Sequence, residues 1–257
     1  NVYNDPDMAA EAALIQVDKG FTAVKFDPAG PYTIYDGHQP RLEDLERSEM
    51  FVKRIREAVG TRADLLFGTH GQFTVSGAKR MARRLEPYEP LWFEEPTTPE
   101  NPADMAEVAR FTSVPISTGA RLCPKHAFAR VLEAGAASIL QMDLGRVGGL
   151  LEAKKIASMA ETRQAQIAPH LYCGPGVAAA NIQIATCSPN FLILESIGTF
   201  EGPYMSCPKS SITWEDGYVI PAAEPGLGVE LDEAAIAASP YTGSELHLEL
   251  AQEPVVQ

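Results

Sequence analysis

Short apolar runs, each closed by a polar residue and each followed by a helical stretch, repeat along most of this chain. No other feature constrains its fold as tightly. The runs are Phe21–Asp27, Asp64–Thr69, Pro90–Glu94, Val114–Thr118, Ala137–Asp143, Gln166–His170 and Phe191–Glu195, and most begin about 23–29 residues after the one before. Between them the apolar period changes from strand-like to helical. Residues 43–59 place Leu45, Val52, Ile55 and Val59 on one face and end at Gly60; residues 75–86 do the same with Ala78, Met81, Ala82 and Leu85. Further helices are expected near 101–110, over 125–134 and 149–161, and near 176–187. Alternating strand and helix implies βα units and a parallel sheet buried on both faces. Seven such units in a row suit a closed barrel better than an open doubly wound sheet.

The barrel is expected to occupy residues 1–231. Its last part, Gly217–Leu231, is a Gly- and Pro-rich extended arm, and 232–257 reads as an irregular, acidic tail packed outside. The chain opens at Asn1 on helix-like sequence, without a methionine. It therefore reads as a fragment or the ordered part of a longer protein, with an eighth strand expected before Asn1. A length of 257 residues, 45% of them hydrophobic, is enough for one large domain with a real core.

The formal net charge of −13 argues against nucleic acid or an acidic membrane surface as partner, since phosphate binding needs clustered Lys and Arg. No apolar run reaches the roughly 18 residues of a membrane span, and no signal peptide is visible. Cys123, Cys173, Cys187 and Cys207 form no CxxC pair, which fits reduced thiols in a cytoplasmic protein.

In a barrel of parallel strands the residues closing the strands converge on one mouth, where catalysis sits. Here they are Lys25 and Asp27, His70, Glu94 with Glu95, Arg121, Asp143, His170 and Glu195. A carboxylate beside an imidazole fixes its tautomer and raises its basicity, so His170 with Asp143 is the candidate general base. The set is sufficient for removing a proton next to a carboxylate, with another acid to help a group leave. Several members carry two readings. Lys25 either contacts substrate or pairs with Glu94 or Asp143. His70 is either an acid or a loop hydrogen-bonding group. Glu95 reads as a buried salt-bridge partner. Gly148-Gly149 after Arg146 reads as tight βα packing rather than a phosphate cradle, and Cys173 as a small packing residue rather than a nucleophile.

Trp92-Phe93-Glu94-Glu95-Pro96, Asp143-Leu144-Gly145-Arg146-Val147-Gly148-Gly149, Pro169-His170 and Leu194-Glu195, in this order and spacing, resemble the enolase superfamily, and within it the mandelate racemase subgroup. Asp216-Gly217-Tyr218 and Pro225-Gly226-Leu227-Gly228 resemble that subgroup's C-terminal segment; the match runs over about residues 10–232. The resemblance implies an α/β fold, a modified TIM barrel of (β/α)7β type, and an N-terminal α+β capping domain that this chain lacks. It makes His170 and Asp143 the base dyad and Glu195 a carboxylate that helps hold the substrate carboxylate or enolate. Lys25 matches the first lysine of a Lys-x-Lys motif. Asp27 stands in place of the second, which disfavours two-base racemisation. Thr69-His70-Gly71-Gln72 is similar to the Asp-x-His-Gly segment of galactonate-type acid-sugar dehydratases, whose histidine protonates the departing hydroxyl.

The resemblance also implies magnesium, held by three carboxylates at consecutive strand ends. Glu94 matches the middle one, Gly68 stands where the first aspartate is expected, and Ala120 stands where the third glutamate is expected. Magnesium needs hard oxygen ligands. Three readings stay open: Asp27 and His70 rebuild a metal site at Glu94, the substrate carboxylate is held by Arg121 and Lys25, or the chain is a noncatalytic relative. The activity implied is that of an acid-sugar hydro-lyase yielding a 2-keto-3-deoxy acid. The alternatives are a racemase or epimerase, or a cycloisomerase, of a hydroxy acid. A small acid sugar is the implied partner, and a homo-oligomer the implied assembly.

Overall fold

The six best-developed apolar runs pair in sequence order into one parallel sheet, seen in a computed structural model that describes residues 2–27, 36–172, 174–196, 208–210 and 212–238. Helix α1 (Pro6–Asp18) leads, started by Pro6 at its first position and by the Asp5 carboxylate, which accepts from the Asp7 and Met8 amides. Then come β1 (Ala23–Phe26), α2 (Leu42–Val59), β2 (Asp64–Phe67), α3 (Val75–Leu85), β3 (Trp92–Glu94), α4 (Pro102–Ala109), β4 (Ile116–Thr118), α5 (Lys125–Ala134) and β5 (Ile139–Leu140). The short α6 (Leu144–Val147), α7 (Leu150–Glu161), β6 (Gln166–Ile167) and α8 (Pro175–Cys187) complete the βα series. This is the modified TIM barrel.

Residues two apart on a strand share a face. On one face of the strands, Leu65 and Phe67, Phe93, Ile116, Leu140 and Ile167 pack into the large core beneath the helices, with Val52, Ile55, Met81, Leu85, Phe128 and Ile156. On the other face, Leu66, Trp92, Ile139 and Ala168 form a separate small cluster inside the barrel. Both faces are thus buried, which is why these runs are almost continuously apolar.

The strands are shorter than the sequence suggests, because their last residues leave the ladder to carry the mouth. The expected seventh strand, Phe191–Glu195, is corrected most: it makes one isolated bridge, Phe191 to Ile167. Its hydrogen bonds are Ile167 N to Asn190 O and Leu192 N to Ile167 O, both 2.9 Å. Among the described residues no further strand pairs with the outer edge of β1. The space between β1 and 191–195 is a cavity of about 770 Å³, walled by Phe21, Trp92, Leu192 and Trp214, with Lys25 and Glu195 also on its lining.

The expected helix 149–161 is α7, and a separate short helix, α6, precedes it. The break comes at Gly148 and Gly149, with φ of 107° and 88°, which side-chain-bearing residues rarely adopt. The arm holds β9 (Tyr218–Ile220) and β10 (Val229–Leu231); β7 (Pro208–Ser210) pairs with β10, and β8 (Thr213–Glu215) with β9. Trp214 on β8 sits 4.5 Å from the Phe21 ring, tying this hairpin to the barrel's base. The tail is not irregular throughout. Asp232 caps a short helix α9 (Glu233–Ala238) by accepting from the Ala234 and Ala235 amides; residues 239–257 lie outside the described set.

Candidate active site

The alternation that puts Leu66, Trp92, Ile139 and Ala168 inside the barrel carries on toward the C-terminal ends of the strands. Two residues further on come Gly68, Glu94, Gln141 and His170 respectively, with Asp143 and His70 one step higher. On β1 the same face bears Ala23, Lys25 and Asp27. The interior is therefore layered, with an apolar floor and a polar mouth.

Lys25 holds the centre. Its Nζ donates to Glu94 Oε1 at 3.0 Å and to Glu195 Oε1 at 2.9 Å, and lies 2.9 Å from Glu94 Oε2. Burial pulls the ammonium's pKa down, but Glu94 and Glu195 outweigh it and hold it above the ordinary lysine value. Glu195 Oε2 accepts the Leu171 amide at 2.8 Å, so this carboxylate clasps β1 to the residue after His170. Burial pushes Glu195 upward; Lys25, His170 and the Leu171 amide prevail and hold it below the usual range. Glu94 Oε2 is buried, and among the described residues no donor other than the Lys25 ammonium reaches it.

The imidazole lies on the β5–β6 side. His170 Nδ1 stands 2.9 Å from Asp143 Oδ2, with the Asp143 side chain fully buried and that of His170 14% exposed. An ionised carboxylate only accepts, so Nδ1 carries the proton and Nε2 keeps its lone pair. Asp143 Oδ1 accepts the Gly145 amide at 2.8 Å as the cap of α6, which fixes the carboxylate as well. Asn181 on α8 donates to the His170 carbonyl at 3.0 Å.

Across the mouth, Asp27 and His70 stand close enough to act on each other. Burial raises the Asp27 carboxyl, and the charges of His70 and Lys25 oppose it. Burial lowers His70, and Asp27 and Glu94 oppose that. Asp27 fits because residue 68 is glycine: a Cβ there would lie 2.8 Å from Asp27 Oδ1 and 3.3 Å from Lys25 Cε. Below them, Arg121 Nε donates to Glu95 Oε2 at 2.8 Å. Glu95 adopts φ of 41°, in the left-handed region that costs a side-chain-bearing residue energy. Burial lifts its carboxyl to about 7 despite Arg121. The Thr69 hydroxyl donates to the Glu94 and Glu95 carbonyls, binding β2 to this turn.

Arg121, expected to hold substrate, directs its Nε to Glu95, which takes the salt-bridge reading. One expectation changes. The expected magnesium site of Glu94 and Asp27 is not assembled. Among the described residues no three His, Cys, Asp or Glu side chains converge to hold an ion. Positions 68 and 120 offer no carboxylate, and both Glu94 oxygens face the Lys25 ammonium. The residues present do not fit the metal.

Two residues at the site were not singled out for it in the sequence. Arg146 lies with its Nε 3.8 Å from Asp143 Oδ2, and its Nη1 donates to the Ala120 carbonyl at 3.2 Å. Its spacing of three from Asp143 was the available signal. Asn181 is the other; a polar residue amid Ala178, Ala179 and Ile182, all buried, was its signal.

The chain matches the Enolase C-terminal domain-like family over residues 7–235. It is 33% identical over 246 residues to a D-xylonate dehydratase of Haloferax volcanii, covering 94% of this chain and 60% of that one. To a D-gluconate/D-galactonate dehydratase of Picrophilus torridus it is 32% identical over 246 residues, covering 94% and 61%. The chain thus spans about three-fifths of these relatives' length. Among solved structures, a mandelate racemase/muconate lactonizing enzyme from Jannaschia sp. CCS1 superposes with a TM-score of 0.90 at 49% identity, over 96% of this chain and 63% of that one. A candidate of the same description from Labrenzia alexandrii reaches 0.93 at 74% identity, over 95% and 63%. With its layered barrel and a family match over nearly its whole length, the chain belongs to the Enolase C-terminal domain-like family.

Proposed function

We propose that this barrel, residues 1–231, carries the active site of an acid-sugar hydro-lyase. The observation that carries the reading is the 2.9 Å contact of His170 Nδ1 with the buried Asp143, which leaves Nε2 free to accept a proton at the mouth that also holds the Lys25–Glu195 pair. The dehydratase relatives, one acting on D-xylonate and one on D-gluconate/D-galactonate by their names, support the same class.

The chemistry balances with these side chains. His170 Nε2 takes the proton α to the substrate carboxylate, and the C–H electrons enter the developing enolate. The enolate electrons then expel the β-hydroxyl, which His70, when protonated, releases as water. The resulting enol becomes a 2-keto-3-deoxy acid. Lys25 faces the carboxylate on which charge builds, the place where a fixed cation contributes most.

Incubation of the full-length protein with D-gluconate, D-galactonate and D-xylonate in D2O tests this. A dehydratase accumulates keto acid; an epimerase or racemase returns deuterated substrate. Deuterated substrate without keto acid would move the assignment to the second class. Retention of full dehydration by His170→Asn would remove His170 as the base.

A further inference from the structure

Three oxygens converge on one point inside the mouth: Glu94 Oε1 at 3.0 Å, Glu94 Oε2 at 2.9 Å and Glu195 Oε1 at 2.9 Å. What sits at that point is the Lys25 ammonium. The distances suit charge-assisted N–H···O contacts and exceed the roughly 2.0–2.1 Å of magnesium–oxygen bonds. Around this point the flanking positions have lost the means to hold an ion. Residue 120 is alanine, and its carbonyl accepts from Arg146. Residue 68 is glycine, and the Asp27 carboxylate fills the space its side chain would take. A metal entering at Glu94 would have to displace Lys25, since two cations cannot share one buried carboxylate without strong repulsion.

We propose that the Lys25 ammonium, clamped by Glu94 and Glu195, is the resident cation of this site and that the site works without a divalent ion. Glu94 then has a different task. Its buried Oε2 has the Lys25 ammonium at 2.9 Å and no other donor among the described residues, so its remaining lone pair serves as an acceptor for a donor on the bound molecule, and a hydroxyl of a hydroxy acid supplies one. Lys25 faces the carboxylate end of the same molecule. Gly68 and Asp27 belong to this arrangement together, because any side chain at 68 pushes the Asp27 carboxylate out of its place. The inference deepens the hydro-lyase reading and rests on it only for the kind of molecule bound.

The decisive experiment needs no substrate. The full chain, Lys25→Met and Lys25→Arg are titrated with MnCl2, and free Mn2+ is followed by its EPR signal; circular dichroism melts report folding. The unmodified protein and Lys25→Arg are expected to bind no Mn2+ at this site. Lys25→Met frees the three converging oxygens and is expected to gain affinity by about tenfold or more. Stoichiometric binding by the unmodified protein, lost in Glu94→Gln, would overturn the proposal. So would a folded Lys25→Met that gains nothing. Should Lys25→Met fail to fold, the unmodified protein and its Glu94→Gln variant still decide. An absence of keto acid in the D2O experiment would sink the hydro-lyase reading and leave the Mn2+ result standing.

Discussion

The two sides of the barrel mouth solve opposite problems. On the β5–β6 side one carboxylate and one imidazole are matched: Asp143 is spent on His170 and the Gly145 amide. On the β1–β4 side Asp27, Glu94 and Glu95 crowd around Lys25, Arg121 and His70, and burial moves the protonation of Asp27, Glu95 and His70 from their ordinary values. The first side is a finished pair whose carboxylate is already engaged by the imidazole and a backbone amide. The second is a charge network whose members hold one another in place. A residue there is read correctly only with its neighbours, which the paired side does not require.

Single substitutions test that contrast. The largest effect is expected for His170→Asn, which should lower kcat for the accepted acid sugar by about 10²–10⁴-fold, the usual contribution of a positioned base, while leaving the melting temperature nearly unchanged. On the crowded side the sign reverses, and substitution should cost stability first. Lys25→Met leaves Glu94 and Glu195 facing each other without a cation, and urea unfolding should report a loss of about 3–5 kcal/mol, the range for breaking a buried ion pair.

Glu95 gives a pH signature. Its carboxyl stands at about 7 folded against 4.5 for the free group, so between those values the folded chain keeps a proton that the unfolded chain has lost. Stability should therefore fall as pH rises through that window, by about 3 kcal/mol from this group, and the fall should be absent in Glu95→Gln. The smallest effect is expected for Gly68→Ala. Its new methyl meets the movable end of Asp27, which should cost about 1 kcal/mol by urea unfolding. An equally large loss of stability in His170→Asn and Lys25→Met would mean that the two sides do not differ as described.

Much of this was legible in the chain. The strand-and-helix periods gave the barrel order, because each apolar run must bury two faces and each helix one. His170, Asp143, Lys25, Glu94 and Glu195 were legible as mouth residues, because each closes or nearly closes such a run. The seventh strand was over-read. Phe191–Glu195 is apolar enough for a strand, but pairing requires a neighbour in register, and only Phe191 and the residues beside it find β6. Gly148-Gly149 was read as packing, when those two backbones take conformations that side-chain-bearing residues rarely adopt.

Sequence by itself determined the periodicity, the layer each residue occupies and the identity of the mouth groups, since those depend on spacing along one strand or helix. Only the tertiary structure decided how the groups are matched across strands. Lys25 could face Glu94 or Asp143, and Arg121 could face substrate or Glu95. The choices fell to Glu94 with Glu195, and to Glu95, because distances between strands and the cost of burying an unpaired charge are properties of the packed barrel. The pairing at Glu94 is of the same kind: Gly68 and Ala120 leave two flanking positions without a carboxylate in the sequence, and the fold supplies the lysine that faces Glu94 and Glu195.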